Sequence, residues 1–329
     1  WGSNPWTSMV RAFRGCNNLN VSATDAPNLS GVTDTSYMFA GCSVFNSNIN
    51  HWDVSTITNI RDIFNGSAFN QPLDNWDVSN VTSMVNMFAY TPFNQPIGVW
   101  DVGSVTNFGY MFRQNFAFDQ PLNSWNMSGK TNLTAMFYEA RAFNQDLDLW
   151  DVSACTSMYY MFQNATLFNG NITTWNTSNV TNMSGMFNMW WGGARPFNQN
   201  LNSWDVSNVT DMGAMFAYCI NYNQPMNTWN TSNVTNMDGM FRDALAFNQD
   251  LNSWNTANVT NMSNMFYGAY AFQGNISAWN TSNVTNMQSM FRIYSSATSF
   301  NGDISAWNVG NVIDMRWMFY SQDPSHKFN

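Results

Sequence analysis

Trp175-Asn-Thr-Ser-Asn-Val-Thr-Asn-Met-Ser-Gly-Met-Phe187 is followed, after a variable stretch, by Phe197-Asn-Gln-Asn-Leu-Asn-Ser203, and at Trp204 the same wording begins again. Working outward from this stretch, the Trp that opens it recurs at Trp52, Trp76, Trp100, Trp125, Trp150, Trp229, Trp254, Trp279 and Trp307, at intervals of 24 to 29 residues. Trp1 falls in the same frame, and Pro27 stands where a second Trp would be. The chain therefore reads as about thirteen tandem turns, the last cut off at Phe328-Asn329. A period this regular predicts a solenoid, in which each unit buries its apolar face against its neighbours. The expected organisation is one solenoid domain over 1–329, with divergent opening turns over 1–51 and regular repeats over 52–329.

Within one turn, Val180, Met183, Met186 and Phe187 follow helical rather than strand spacing. Ser178 is placed as an N-cap. The spacing predicts a short helical or 3-10 turn there. Phe197, Leu201 and Trp204 carry the alternation of a short strand. Pro72, Pro96, Pro121 and Pro225 lie inside that segment and limit its pairing, because Pro lacks a ladder donor. The column of Met183 holds Ile60, Met84, Phe108, Leu133, Met158, Met212 and Met237. Shape varies there and polarity does not, as a core requires. Lys130 stands in place of a core Val, so either that turn is distorted or its ammonium snorkels outward.

Composition narrows the function. Of 329 residues, 44% are hydrophobic and only 9% charged, with a net charge of −9; 52 are Asn. Eleven Lys plus Arg make a poor footprint for nucleic acid. No apolar run is long enough to cross a membrane as a helix. His51 and His326 are the only histidines. With no nucleophile–base set and no metal-ligand spacing, the expectation is a protein without enzymatic activity or cofactor. The Met columns follow the core phase beside Phe, which favours packing over soft-metal binding. Asp53, Asp77, Asp101, Asp151 and Asp205 follow their Trp, but Asn replaces them in other turns, so an Asx turn fits better than a calcium strip. Asn70, Asn94, Asn198 and their equivalents, one per turn, are expected to form a buried asparagine ladder with the adjacent backbone.

Two further patterns bear on compartment. Cys16 and Cys42 occupy one slot in consecutive turns and are expected to form a disulfide, which implies oxidising surroundings. The alternative is two small residues filling a tight slot. Cys219 shares the slot without a neighbour, and Cys155 replaces a core Val. Asn-x-Ser/Thr recurs, notably at Asn80, Asn179, Asn208, Asn233, Asn258 and Asn283. These are candidate acceptors for N-linked glycan in a secreted protein, or simply part of the repeat wording.

The pattern W-D-V-S-N-V-T-x-M-x-x-M-F followed by F-N-Q-P-L resembles the bacterial surface protein 26-residue repeat, also called the BspA-like or Mycoplasma lipoprotein-type surface repeat, a domain of unknown function. Ala23 to Cys42 resembles its opening segment. The resemblance covers essentially the whole chain. It implies a leucine-rich-repeat-like right-handed solenoid displayed outside the cell, with a role in adhesion or surface structure and no catalytic residues to carry over.

The leading expectation is a structural subunit of a surface layer or filament, its copies joined head to tail through the Trp1 and Phe328 ends. The alternative is an adhesin or glycan-binding module. Tyr138, Tyr159, Tyr267 and the Trp190-Trp191 pair in the longest turn lie outside the core frame and are its candidate contacts. Ice binding by the Thr column (Thr181, Thr210, Thr235, Thr260, Thr285) is a distant third, because turn length varies.

Overall fold

The computed structural model describes residues 1–2, 4–294 and 300–321. The Phe328 end of the expected head-to-tail contact therefore lies outside the described residues, as does His326. The chain divides into two compact units, Trp1–Cys155 and Thr156–Asn329. Each is a stack of tandem repeats.

The repeat at Trp204 shows how one turn is built. Asp205 opens it with an Asx turn, its Oδ1 accepting the Ser207 N–H at 2.9 Å, and the Val209 N–H closes on Val206 O at 3.0 Å. Asp211 then makes a parallel bridge to Asn236 of the next repeat and a second Asx turn to the Gly213 N–H at 2.8 Å. From Met212 to Cys219 the backbone alternates. The N–H groups of Met212, Ala214, Phe216 and Tyr218 donate to the next repeat at 2.6–3.1 Å. Those of Met215, Ala217 and Cys219 donate three residues back at 3.1–3.2 Å.

This alternation replaces the helix that the apolar spacing predicts. No helix and no extended strand occurs among the described residues; the regular pairings are isolated bridges. The physical reason is a left-handed residue inside the run. Ala214 has φ 53° and Tyr218 has φ 60°. A left-handed residue turns alternate peptide groups sideways, along the stack, where a helix would keep them for its own i−4 carbonyls. The equivalent residues are left-handed in every repeat: Arg11, Tyr37, Asp62, Asn86, Tyr110 and Ala135 in the first unit, and Tyr160, Gly185, Gly239, Asn264, Ser289 and Trp317 in the second. Successive short turns thus reproduce the i, i+3, i+4 apolar spacing without a helix. Ser178 is accordingly an Asx-turn residue and no N-cap: its N–H donates to Asn176 Oδ1 at 3.1 Å.

The predicted strand at F-N-Q-x-L is also corrected. The stacking bridge lies earlier, along Asp34, Asn59, Ser83 and Asn107 in the first unit. In the second it runs through Ser157, Asn182, Asp211, Asn236, Asn261, Asn286 and Asp314. In the F-N-Q segment a side chain does the pairing. The Asn94 N–H donates to Asn70 Oδ1 at 2.9 Å and the Asp119 N–H to Asn94 Oδ1 at 3.0 Å. In the second unit the N–H groups of Asn198, Asn223 and Asn248 donate to Asn169, Asn198 and Asn223 at 3.0, 3.0 and 2.9 Å. This is the expected asparagine ladder, but it runs along the half-exposed rim rather than the buried interior. The paired donor precedes Pro72, Pro96, Pro121 and Pro225 by two residues, so Pro costs the ladder nothing.

Inside, the repeat residues form continuous columns. In the Trp204 repeat, Val209, Met212, Met215, Phe216 and Tyr222 are fully buried. Each M-F phenylalanine pairs with the ring of F-N-Q in its own repeat, as Phe241 with Phe247 at 3.9 Å, and stacks on the neighbouring repeat, as Phe241 on Phe266 at 5.7 Å. The buried Trp indoles need a polar partner. Trp76, Trp100 and Trp125 donate to Ile49, Leu73 and Ile97 O at 2.9–3.1 Å, and Trp229, Trp254 and Trp279 make the same bond in the second unit. Lys130, in its core slot, is buried, and its ammonium reaches the Gly103 carbonyl at 2.6 Å. Burial pulls its pKa down, and the nearby Asp101 charge opposes this.

Candidate binding face

The left-handed run that stacks the repeats also aims side chains outward, and there the cations and the non-core aromatic rings meet. Arg14, Arg113, Arg242 and Arg292 each directly follow a column Phe: half-buried Phe13 and buried Phe112, Phe241 and Phe291. In the first unit, Arg11, Arg14 and Arg61 lie 5.3, 5.3 and 5.9 Å from the centre of the Tyr37 ring. Arg113 lies among Tyr90, Tyr110 and Tyr138 at 5.4, 5.6 and 5.5 Å. Arg141 sits 4.2 Å over Phe116. In the second unit, Arg195 lies 5.9 Å from Tyr218, and Arg242 lies between Tyr218 and Tyr267 at 5.6 and 4.6 Å. Arg292 is surrounded by Tyr267, Tyr294, Trp317 and Tyr320 at 4.6–5.9 Å. Among the described residues, every arginine except Arg316 thus lies over an aromatic ring.

Some of these cations have carboxylate neighbours. Arg61 pairs with Asp62 at 2.9 Å, Arg141 with Glu139 at 3.1 Å and Arg242 with Asp243 at 3.6 Å. Burial raises the Asp243 pKa in spite of Arg242. Burial also raises the Tyr267 hydroxyl, reinforced by its hydrogen bond with Tyr294. Two open clefts lie in the first unit's face. One of about 290 Å³ is lined by Tyr90, Thr91, Pro92, Gln114, Phe116 and Ala117. The other, of about 330 Å³, includes Arg14, Tyr37 and Asn65.

Trp190 and Trp191 belong to this setting. They are 48% and 45% exposed, with ring centres 5.2 Å apart. Their loop is tied down on both sides. The Trp191 N–H donates to Asn164 Oδ1 at 3.0 Å, Arg195 donates to Trp191 O at 3.0 and 3.1 Å, and Asn221 donates to Arg195 O at 3.1 Å. The loop is thus folded back on its repeats while both indoles stay in water.

The other residues singled out by the sequence lie elsewhere. Cys16 and Cys42 are free thiols, so the expected disulfide is absent. Cys42 is buried, and its thiol donates to Phe13 O at 2.9 Å; Cys219 makes the same bond to Phe187 O at 3.0 Å. At both positions the thiol returns a hydrogen bond to the preceding repeat. Asn80, Asn179, Asn208, Asn233, Asn258 and Asn283 are all exposed. The Nδ2 of Asn80, Asn208, Asn233, Asn258 and Asn283 donates to the carbonyl of Ser55, Ser178, Ser207, Ser232 and Ala257 at 2.7–2.9 Å, so each amide also bridges repeats. The Thr column is exposed, with Thr235 and Thr260 hydroxyls donating to the preceding Thr carbonyls at 3.2 Å. The Asp that follow Trp form Asx turns, as Asp53 and Asp77 do to Ser55 and Ser79 at 3.0 Å. Among the described residues no group of three or more His, Cys, Asp or Glu is placed to hold a metal ion. No helix among them is long and apolar enough to cross a membrane.

Sequence reasoning picked out Tyr138, Tyr267, Trp190 and Trp191 but missed the arginines. The recurring Phe-Arg at 13–14, 112–113, 241–242 and 291–292 was the available signal.

Stacked near-identical turns with arginines and aromatic rings on their outward side define a tandem-repeat protein. The chain belongs to the family described as Mycoplasma protein of unknown function, DUF285, which matches residues 7–95, 89–172, 156–273, 188–297 and 251–329. No curated protein and no solved structure matches it.

Proposed function

We propose that this protein is a non-enzymatic repeat scaffold, displayed outside the cell, that binds carbohydrate through its aromatic and arginine face. In this reading each stack is a leucine-rich-repeat-like, right-handed solenoid of the BspA-like kind, which needs no cofactor. The observation that carries the reading is the gathering of almost all described arginines and the exposed rings of Tyr90, Phe116, Trp190 and Trp191 onto the outward turns. Sugars present C–H faces to aromatic rings and hydroxyls to amide and guanidinium donors, and this face offers both. The resemblance to surface repeats supports the location, and the amide-rich, charge-poor exterior suits a displayed module. The test is an oligosaccharide array probed with the whole chain. Retention of defined sugars, lost on replacing the face aromatics, supports the reading; an array with no retained sugar rejects it.

The exposed Asn of the N-V-T columns are proposed as acceptors of N-linked glycan. Intact mass before and after glycosidase treatment decides this, and a mass equal to the bare chain rejects it.

End-on assembly into a surface layer or filament is a second reading. Light scattering over a concentration series tests it: growth of mass with concentration supports assembly, and a constant monomer mass excludes it.

A further inference from the structure

We infer that the cleft beside Tyr90 and Phe116 takes an acidic oligosaccharide, with Arg113 holding its carboxylate or sulfate. The inference rests on the carbohydrate reading above and names the class of sugar. Arg113 differs from Arg61, Arg141 and Arg242 in having no carboxylate within ion-pair distance among the described residues, and its guanidinium makes no hydrogen bond to them. Its Nε is buried without an acceptor. What surrounds it instead is three tyrosine rings at 5.4–5.6 Å. Ring faces attract the cation but leave the in-plane N–H fork unsatisfied. A planar fork held in this way is matched by a carboxylate or a sulfate, which can accept two parallel bonds.

Arg113 is not itself a wall of the cleft but shares a ring with it. Tyr90, one of the three rings, is also a cleft wall, and Gln114, the next residue in the chain, is another. Tyr90 and Phe116 are 44% and 49% exposed; Arg141, paired with Glu139, covers one face of Phe116, and the surface left open offers apolar area for the C–H face of a sugar. The volume of about 290 Å³ is at the small end of ligand sites, suited to a short stretch of sugar rather than a protein segment. Arg292 in the second unit has a comparable ring cage and likewise lacks a carboxylate pair among the described residues.

The test measures binding of five sugars and one acidic control peptide to the whole chain by calorimetry. Sialyllactose and a hyaluronan hexasaccharide carry carboxylates, a heparin-derived hexasaccharide adds sulfate, and cellohexaose and chitohexaose are neutral. At least one acidic probe is expected to bind more tightly than the neutral ones, and the carboxylate and sulfate arms identify the anion. Arg113→Gln should weaken that probe by about tenfold to a hundredfold, as for a lost charge-assisted hydrogen bond, with little effect on neutral sugars. Arg113→Lys, which keeps charge but not the fork, should restore only part of the loss. Phe116→Ala, at an exposed ring, should weaken binding independently, and it serves if the Arg113 variants melt early. Equal binding of acidic and neutral sugars, or an unchanged acidic affinity in a well-folded Arg113→Gln protein, overturns this inference and leaves the carbohydrate reading standing. Binding of no sugar at all overturns both, and selective binding of an acidic peptide control overturns both in favour of a protein partner.

Discussion

Gly185 sits at a left-handed φ of 62°, and a Cβ built there would run into the Tyr160 ring of the preceding repeat. Ala214 holds the same column position one repeat later at φ 53° and has the room. Gly185→Ala is therefore expected to cost about 1–2 kcal/mol from backbone strain alone, and more from the displaced ring. Ala214→Gly should change stability far less, because relief of strain and added unfolded-chain freedom oppose each other. Denaturant unfolding of the two variants checks the order; equal losses would mean the column is not strained at Gly185. The cysteines make a second test at this scale. Cys16 is exposed while Cys42, Cys155 and Cys219 are buried, and burial pushes the Cys42 and Cys219 thiols up. A thiol reagent under native conditions should modify one group quickly and three only on unfolding. Loss of the fast group in oxidised material would show that the Cys16–Cys42 bridge can form.

At the scale of the element, the repeat is a chain of turns held by side-chain acceptors. Asn94 Oδ1 accepts from the Asp119 N–H at 3.0 Å and from Gln120 Nε2 at 3.0 Å. Asp119 plays the same part for the Asn144 N–H at 2.9 Å. The position needs an acceptor and not an amide. Asn94→Ala should cost about 1–2 kcal/mol by leaving a backbone donor unpaired, and Asn94→Asp should be close to neutral. Thermal melting of both variants distinguishes this from a packing role, in which the two losses would be similar. The ladder is legible in the sequence because the same residue recurs beside the same ring. The true backbone of the Met-Phe run is not, because periodicity reports which side chains face inward and not the handedness of the backbone between them. Met212, Met215 and Phe216 have one spacing on a helix and on these successive turns.

Across the whole molecule, charge is sparse and much of it is spent on turns. Asp53, Asp77, Asp151 and Asp205 are held below the usual carboxylate range first by the Ser two residues on, through its hydroxyl, and then by its N–H. A depressed folded pKa contributes stability that is present above the unfolded value, about 3.9, and is lost as pH falls through the folded value. Melting temperature should thus hold from neutral pH to about pH 4 and drop below it. Asp77→Asn should remove one share of that drop, since Asn176 and Asn230 already make the same turn without titrating, to Ser178 and Ser232 at 3.1 and 3.2 Å. A variant with the parent's acid profile would count against these turns as the cause.

The sequence by itself determined that the chain is a tandem repeat, where each turn starts, which columns are buried and that Asx turns follow the Trp. Those properties depend on side-chain type recurring at fixed intervals, and a period is visible in one dimension. Only the tertiary structure decided the left-handed backbone that replaces the helix, the thiol-to-carbonyl bonds at Cys42 and Cys219, and the meeting of Arg113 with Tyr90, Tyr110 and Tyr138. Those depend on which residues of neighbouring repeats come together when the turns stack. The ring from one repeat and the guanidinium from the next lie about 24 residues apart in the chain, and stacking alone brings them within contact.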